Sequence, residues 1–180
     1  MTARRPADKS SAKRYDLAVV GAGSAGFSAA IAAAEAGAQV ALIGQGTIGG
    51  TCVNVGCVPS KALIRAMEAV SHGERAGRFA GIEGHGRLTD WKALRRQKDE
   101  LVSDLRRSKY IDLLPAYNGI AYLEGRARLE NGGVSIDGET MAVDRIVITT
   151  GSRAAVPPIP GLSDIDYLTS TTAFELDSLP

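Results

Sequence analysis

Tyr15-Asp16-Leu17-Ala18-Val19-Val20-Gly21-Ala22-Gly23-Ser24-Ala25-Gly26-Phe27 decides how this chain folds. Residues 15–20 form a short apolar strand, and residues 21–26 fit G-x-G-x-x-G. Residues 27–36 are alanine-rich and favour helix, with Gly37 as a natural stop. Residues 39–43 give a second apolar strand. Strand, tight turn, helix and strand make one βαβ unit, whose crossover is expected to be right-handed. A lone Gly-rich match is weak, but between a strand and a helix it points to a bound dinucleotide. Gly21 permits the tight turn, and Gly23 lets a pyrophosphate approach the backbone. Ser24 and Ala25 carry the chain into the helix, whose N-terminus faces the negative charge. Gly26 permits close helix–strand packing. A purely structural glycine turn is the competing reading.

One expected part is missing. An acidic residue usually ends the second strand of such a unit and hydrogen-bonds a ribose. Here that place reads Leu42-Ile43-Gly44-Gln45. Gln45 is the available substitute, a weaker acceptor than an ionised carboxylate.

Outward from this unit, residues 44–50 form a glycine-rich loop, and both cysteines and a helical stretch follow to about residue 71. Residues 73–86 read as loop. Trp91, Leu94, Leu101 and Leu105 recur at helical spacing and predict an amphipathic helix over 90–109. Beyond Tyr117 the period shortens. Strands are predicted over 120–129, 134–136, 140–143 and 145–150, with turns at Asn131-Gly132 and Asp137-Gly138. Pro157, Pro158 and Pro160 then forbid regular structure.

Composition narrows the function classes. Twenty-one Lys and Arg balance 20 Asp and Glu, so a net charge of +1 gives no drive toward nucleic acid or an anionic membrane. No apolar run approaches the roughly 18 residues of a membrane span. The basic residues of 1–14 lack the apolar stretch of a secretory signal, so the segment is expected to be a mobile arm and the location cytoplasmic.

The run Gly49-Gly50-Thr51-Cys52-Val53-Asn54-Val55-Gly56-Cys57-Val58-Pro59-Ser60-Lys61 holds the only two cysteines. On a regular helix their spacing is a rise of roughly 7.5 Å. A disulfide wants Cα atoms within about 6.8 Å. A bridge would therefore need a distorted helix, which Gly56 and Pro59 allow. A nearby helix N-terminus and Lys61 favour thiolate. From the residues alone three readings stand: a redox pair, two inert thiols, or metal ligands. The last is weakened because His72 and His85 lack finger spacing.

The stretch GGTCVNVGCVPSK closely resembles the redox-active site of the pyridine nucleotide–disulfide oxidoreductases, and the likeness runs from about Tyr15 to the C-terminus. GTIGGTCVNVGCVPSK, the SKY at 108–110 and TTGSRAAVPPIPGL followed by TSTTAF resemble the mercuric reductase branch best. The resemblance implies an α/β fold: a Rossmann-like FAD-binding domain with a parallel sheet and an inserted antiparallel β-meander. It implies FAD on the Gly-rich turn, approached also by Gly46, Thr51 and Lys61. Ala127 is implied to lie near the adenine, and Thr149-Thr150-Gly151 to close the flavin site. For Ala127 and Gly151, strand packing and a strand stop are equally good readings. The implied chemistry is a relay from NADPH through FAD to a Cys52–Cys57 disulfide. Cys57 would be the thiolate against the flavin, and Cys52 the outer thiol meeting a substrate, either Hg(II) held transiently by both sulfurs or a small disulfide.

The family's second Gly-rich fingerprint and its later interface domain have no counterpart here. The chain is therefore expected to be the front part of a longer, homodimeric subunit. Its parts would be a basic arm (1–14), a FAD-binding domain (15–155) and a connection (156–180) toward an NADPH-binding domain. The alternatives are a dihydrolipoamide dehydrogenase-like enzyme and a non-catalytic FAD- or thiol-metal-binding module.

Overall fold

The computed structural model describes residues 14–130 and 133–179. The chain divides into two compact units. The first combines the residues up to Gly46 with Leu114–Thr150, and the second combines Thr47–Leu113 with the residues from Gly151 onward.

The first unit is a six-stranded sheet in the order β3-β2-β1-β6-β5-β4. Strands β1 (Arg14–Val20), β2 (Val40–Gly44), β3 (Ile120–Glu124) and β6 (Glu139–Ile148) run parallel. Strands β4 (Ala127–Glu130) and β5 (Gly133–Ile136) join β6 as an antiparallel meander. The expected mixed fold is what the chain adopts. Every residue of β2 is buried, as a parallel strand covered on both faces requires. Tyr15, Ala18, Ala41, Ile43 and Val134 form one apolar cluster, and Ala127 packs against it. Helix α1 (Ser24–Glu35) starts three residues before the alanine-rich stretch and buries Gly26, Phe27 and Ala30. Gly37, at φ +92°, follows its end.

Three strand boundaries differ from the sequence reading. Arg14 belongs to β1 and pairs with Asp144 at 2.5 Å, so it is not part of the predicted arm. The rest of that arm, and the Asn131-Gly132 turn, lie outside the described residues. The predicted strand 120–129 is broken at Gly125 (φ +152°), where β3 ends beside β2 and the chain turns into the meander. The two strands expected over 140–150 are one ten-residue strand, because Asp144 is exposed and a solvent-facing charge does not interrupt a strand. Asp137 (φ +51°) and Gly138 (φ +90°) make the predicted tight turn between β5 and β6.

The second unit is helical. Helix α2 (Gly50–Val55) and helix α3 (Cys57–Glu74) meet at Gly56. Helix α4 (Trp91–Arg106) is capped by the Asp90 carboxylate, which accepts from the Ala93 amide at 3.0 Å. A π-turn follows over Arg107–Ile111. The stripe of α4 departs from the predicted one at Leu101, which is exposed; Trp91, Leu94 and Leu105 are half-buried, and Lys98 and Val102 are buried. The reason lies in residues 174–177. Trp91 Nε1 donates to the Leu176 carbonyl at 3.0 Å, Arg95 to the Asp177 carboxylate at 2.6 Å, and Lys98 Nζ to the Phe174 carbonyl at 3.0 Å. Long cationic side chains bury their stems while their heads satisfy carbonyls, a pattern that apolar periodicity alone does not reveal.

Candidate functional site

In the first unit the Gly-rich turn is shaped by what it lacks. A Cβ on Gly21 (φ +118°) would stand 2.2 Å from the Thr149 carbonyl oxygen, and one on Gly26 only 1.8 Å from that of Gly21. Neither position admits a side chain. Thr149 ties the turn down: its amide donates to the Val20 carbonyl at 2.8 Å, and its hydroxyl to the Val20 and Gly21 carbonyls at 3.1 and 2.9 Å. Thr149, expected together with Thr150 and Gly151 to close the flavin site, is the residue of the three that holds this turn. The β-branched threonine ending an apolar strand was the available signal.

Gly23 caps α1 with no side-chain hydrogen bond, and no acidic residue stands in the first turn. The positive end of the helix dipole therefore carries no anion of its own, and Ser24 and Ala25 are exposed there. A backbone cradle stripped of Cβ atoms at a helix N-terminus fits the pyrophosphate of a dinucleotide such as FAD. Gly46 is exposed at φ +74°, a conformation suited to glycine. Ala127 is partly buried in β4 and packs on the apolar cluster, which by itself accounts for a small residue there.

The second unit carries the sulfurs. Both cysteines are exposed free thiols, so the inert buried reading does not describe them. They flank the helix break. A Cβ on Gly56 would lie 2.8 Å from the Thr51 carbonyl oxygen and 3.2 Å from the Cys52 Cα. That close approach brings Cys57, first residue of α3, back toward Cys52 in α2. Pro59 is buried in the first turn of α3, where a missing N–H costs no helix bond. Ser60 Oγ donates to the Cys57 carbonyl at 3.1 Å.

The Cys52 pKa stands above its ordinary value, raised most by the Cys57 side chain beside it, then by burial and the Cys57 charge, and lowered by the Cys57 backbone and the Lys61 charge. The expected thiolate-favouring influence of Lys61 is present at Cys52 but outweighed. The neighbouring Cys57 side chain thus favours the protonated form of Cys52. Among the described residues no group of three or more His, Cys, Asp and Glu side chains could cage a metal ion.

Asn54, between the cysteines, was not singled out in the sequence. Its Nδ2 donates to the Ile48 and Gly50 carbonyls at 3.0 and 2.9 Å, and Arg106 of α4 donates to its Oδ1 at 3.1 Å. Asn54 thereby fixes the loop entering α2 and ties it to α4. Gly49 (φ +100°) lies against Val53 and Tyr110, which leaves no room for a side chain there. Thr51 and Lys61 are exposed on α2 and α3, and Gly151 lies in the second unit at φ +73°. Among the described residues no helix is long and apolar enough to cross a membrane.

Residues 15–180 match the family described as pyridine nucleotide-disulphide oxidoreductase. The chain is 48% identical over 172 residues to a mercuric reductase of Streptomyces lividans, covering 92% of this chain and 36% of that protein. It is 45% identical over 167 residues to a mercuric reductase of Lysinibacillus sphaericus, covering 92% of this chain and 30% of that protein. Among solved structures it resembles the HOCl-induced flavoprotein disulfide reductase RclA from Escherichia coli. There the TM-score is 0.72 at 32% identity, over 92% of this chain and 35% of that one. The chain thus spans about a third of the length of these relatives. With the glycine cradle, the paired thiols and a family match over nearly its whole length, the chain belongs to the pyridine nucleotide-disulphide oxidoreductases.

Proposed function

We propose that this chain is the FAD-binding part of an enzyme that reduces Hg(II) to Hg(0) with NADPH. The observation that carries the proposal is the exposed Cys52–Cys57 pair across a glycine break, in a chain similar to mercuric reductases. Residues 15–155 form the FAD-binding domain in this reading, and 156–180 lead toward an NADPH-binding domain.

Gly21, Gly23, Ser24, Ala25 and Gly26 hold the pyrophosphate. Gly46, Thr51, Lys61, Ala127, Thr150 and Gly151 are assigned to the same cofactor by family resemblance. FAD, when bound, supplies the two-electron carrier between NADPH and the sulfurs. The protein's own contribution is positional and electrostatic. Gly56 holds the two sulfurs within reach of one another, so the pair can close as a disulfide or open as a dithiol. Two electrons and two protons convert the first form to the second. Cys52 is the outer thiol and keeps its proton until a substrate takes its place. Hg(II) then binds both sulfurs, and both thiol protons leave. Soft sulfur ligands suit a soft thiophilic ion. Reduction of that ion consumes two electrons, which NADPH provides. A homodimeric, cytoplasmic enzyme completes the reading.

The solved relative's description as a disulfide reductase supports a second reading, in which the substrate is a small disulfide. It would enter at Cys52 by thiol–disulfide exchange. The discriminating experiment is an Hg(II) titration of the reduced chain, followed by ultraviolet thiolate–mercury absorption. The expected result is one Hg(II) per chain, displaced only by excess dithiol and lost in both Cys52→Ser and Cys57→Ser. With NADPH and the remaining domains supplied, Hg(0) should be released faster than lipoamide is reduced. Faster turnover of lipoamide would favour the second reading.

A further inference from the structure

β2 ends in Gly44, where a nucleotide-binding βαβ unit ordinarily offers an acid to the ribose. A Cβ built there would lie 2.7 Å from Tyr122 Oη, 3.0 Å from its ring and 2.8 Å from the Ala22 Cβ in the Gly-rich turn. The space that a side chain at 44 would enter is therefore filled by a phenol reaching over from β3. The parallel register explains the reach. Tyr122 pairs with Leu42, and its ring extends two positions further along β2, where Gly44 pairs with Glu124. The Gly125 amide continues the pairing by donating to the Gly44 carbonyl at 2.9 Å. A side chain at 44 would displace the Tyr122 ring from where it lies, so the glycine and the tyrosine are matched across two strands.

We propose that the Tyr122 hydroxyl replaces the absent carboxylate as the contact to the adenosine ribose of FAD, an assignment that rests on the FAD reading above. The chemistry is suitable. A ribose hydroxyl both donates and accepts, and so does a phenol. Burial first, and the Glu124 charge second, push the Tyr122 pKa above its ordinary value, so the phenol keeps its proton at neutral pH. Glu124, exposed at the end of β3, supplies beside it the negative charge that the end of β2 lacks. Sequence reasoning looked for the substitute one residue along the same strand, at Gln45. The structure instead fills the place from the neighbouring strand.

The test is the FAD dissociation constant, read by flavin fluorescence. It is measured for the unaltered chain, for Tyr122→Phe and for the double variant Gly44→Glu/Tyr122→Val. Each is titrated with FAD and with an FAD analogue carrying 2′-deoxyadenosine. Tyr122→Phe keeps the ring packing and removes one hydrogen bond, so FAD binding should weaken about three- to tenfold, with analogue binding unchanged. The double variant restores a carboxylate on β2 and removes the phenol from its path, leaving the Ala22 Cβ as the remaining close neighbour, and should bind FAD more tightly than Tyr122→Phe. Equal FAD affinity of Tyr122→Phe and the unaltered chain would overturn the assignment. So would an equal loss for FAD and the analogue, or a double variant no better than Tyr122→Phe. Failure of the unaltered chain to bind FAD at all would overturn the cofactor reading, and this inference with it.

Discussion

The Gly-rich turn and the cysteine segment both depend on glycine, but in opposite ways. In the turn, Gly21 and Gly26 press backbone against backbone just past the end of β1, and Thr149, just past β6, bolts the arrangement. At the cysteines, a single glycine breaks one helix into two at the surface, and the chemistry sits on exposed side chains either side of the break. The first site is built by removing side chains from a rigid place. The second is built by placing two reactive side chains on a deformable one.

The largest expected effect lies in the turn. Gly26→Val would force side-chain atoms against the Gly21 carbonyl, where even a Cβ lies only 1.8 Å away. Stability should fall by at least about 3 kcal/mol, since the obstacle is backbone and cannot rotate away. Chemical denaturation checks this, and a loss below about 1 kcal/mol would mean that the turn is looser than described.

Gly56→Ala should be milder, because the Thr51 carbonyl lies 2.8 Å from the added Cβ, against 1.8 Å for the obstacle at Gly26. The expected cost is about 1–3 kcal/mol. The functional signature is larger than the stability change. With the two sulfurs moved apart, oxidation to the intramolecular disulfide should slow, as followed by loss of titratable thiols. Unchanged oxidation with unchanged stability would remove Gly56 from its role.

The smallest expected effect is a titration shift. The Cys52 pKa is raised chiefly by the neighbouring Cys57 side chain, then by burial and the Cys57 charge, and Lys61 is among the causes lowering it. Cys57→Ala removes two raising causes and leaves Lys61. The pH midpoint for alkylation of Cys52 should therefore move down. Lys61→Ala in the native pair should move it up. Movement of either midpoint in the other direction would contradict this assignment of causes.

These two regions were not equally legible in the sequence. The turn was, because a G-x-G-x-x-G between an apolar strand and an alanine-rich helix leaves little freedom in backbone path. The Gly56 break was also legible, since the cysteine spacing exceeds what a straight helix can bridge. The holding role of Thr149 was not, nor were Asn54 and Tyr122. Each acts through a partner distant in sequence or on another element: Thr149 on Gly21, Asn54 with Arg106, Tyr122 at Gly44. Periodicity reports which face of an element is buried, not which atoms meet across elements. The buried Lys98 on α4 shows the same limit, because its place depends on carbonyls at residues 174–177.

The visible spectrum of the FAD-loaded chain, after desalting and anaerobic reduction, tests whether one chain combines a FAD-binding cradle with a redox dithiol of divided roles. The expected result is retained flavin and a long-wavelength thiolate–flavin band that survives Cys52→Ser and disappears in Cys57→Ser. A chain that keeps no flavin, or a band that disappears in Cys52→Ser and survives in Cys57→Ser, would contradict the account.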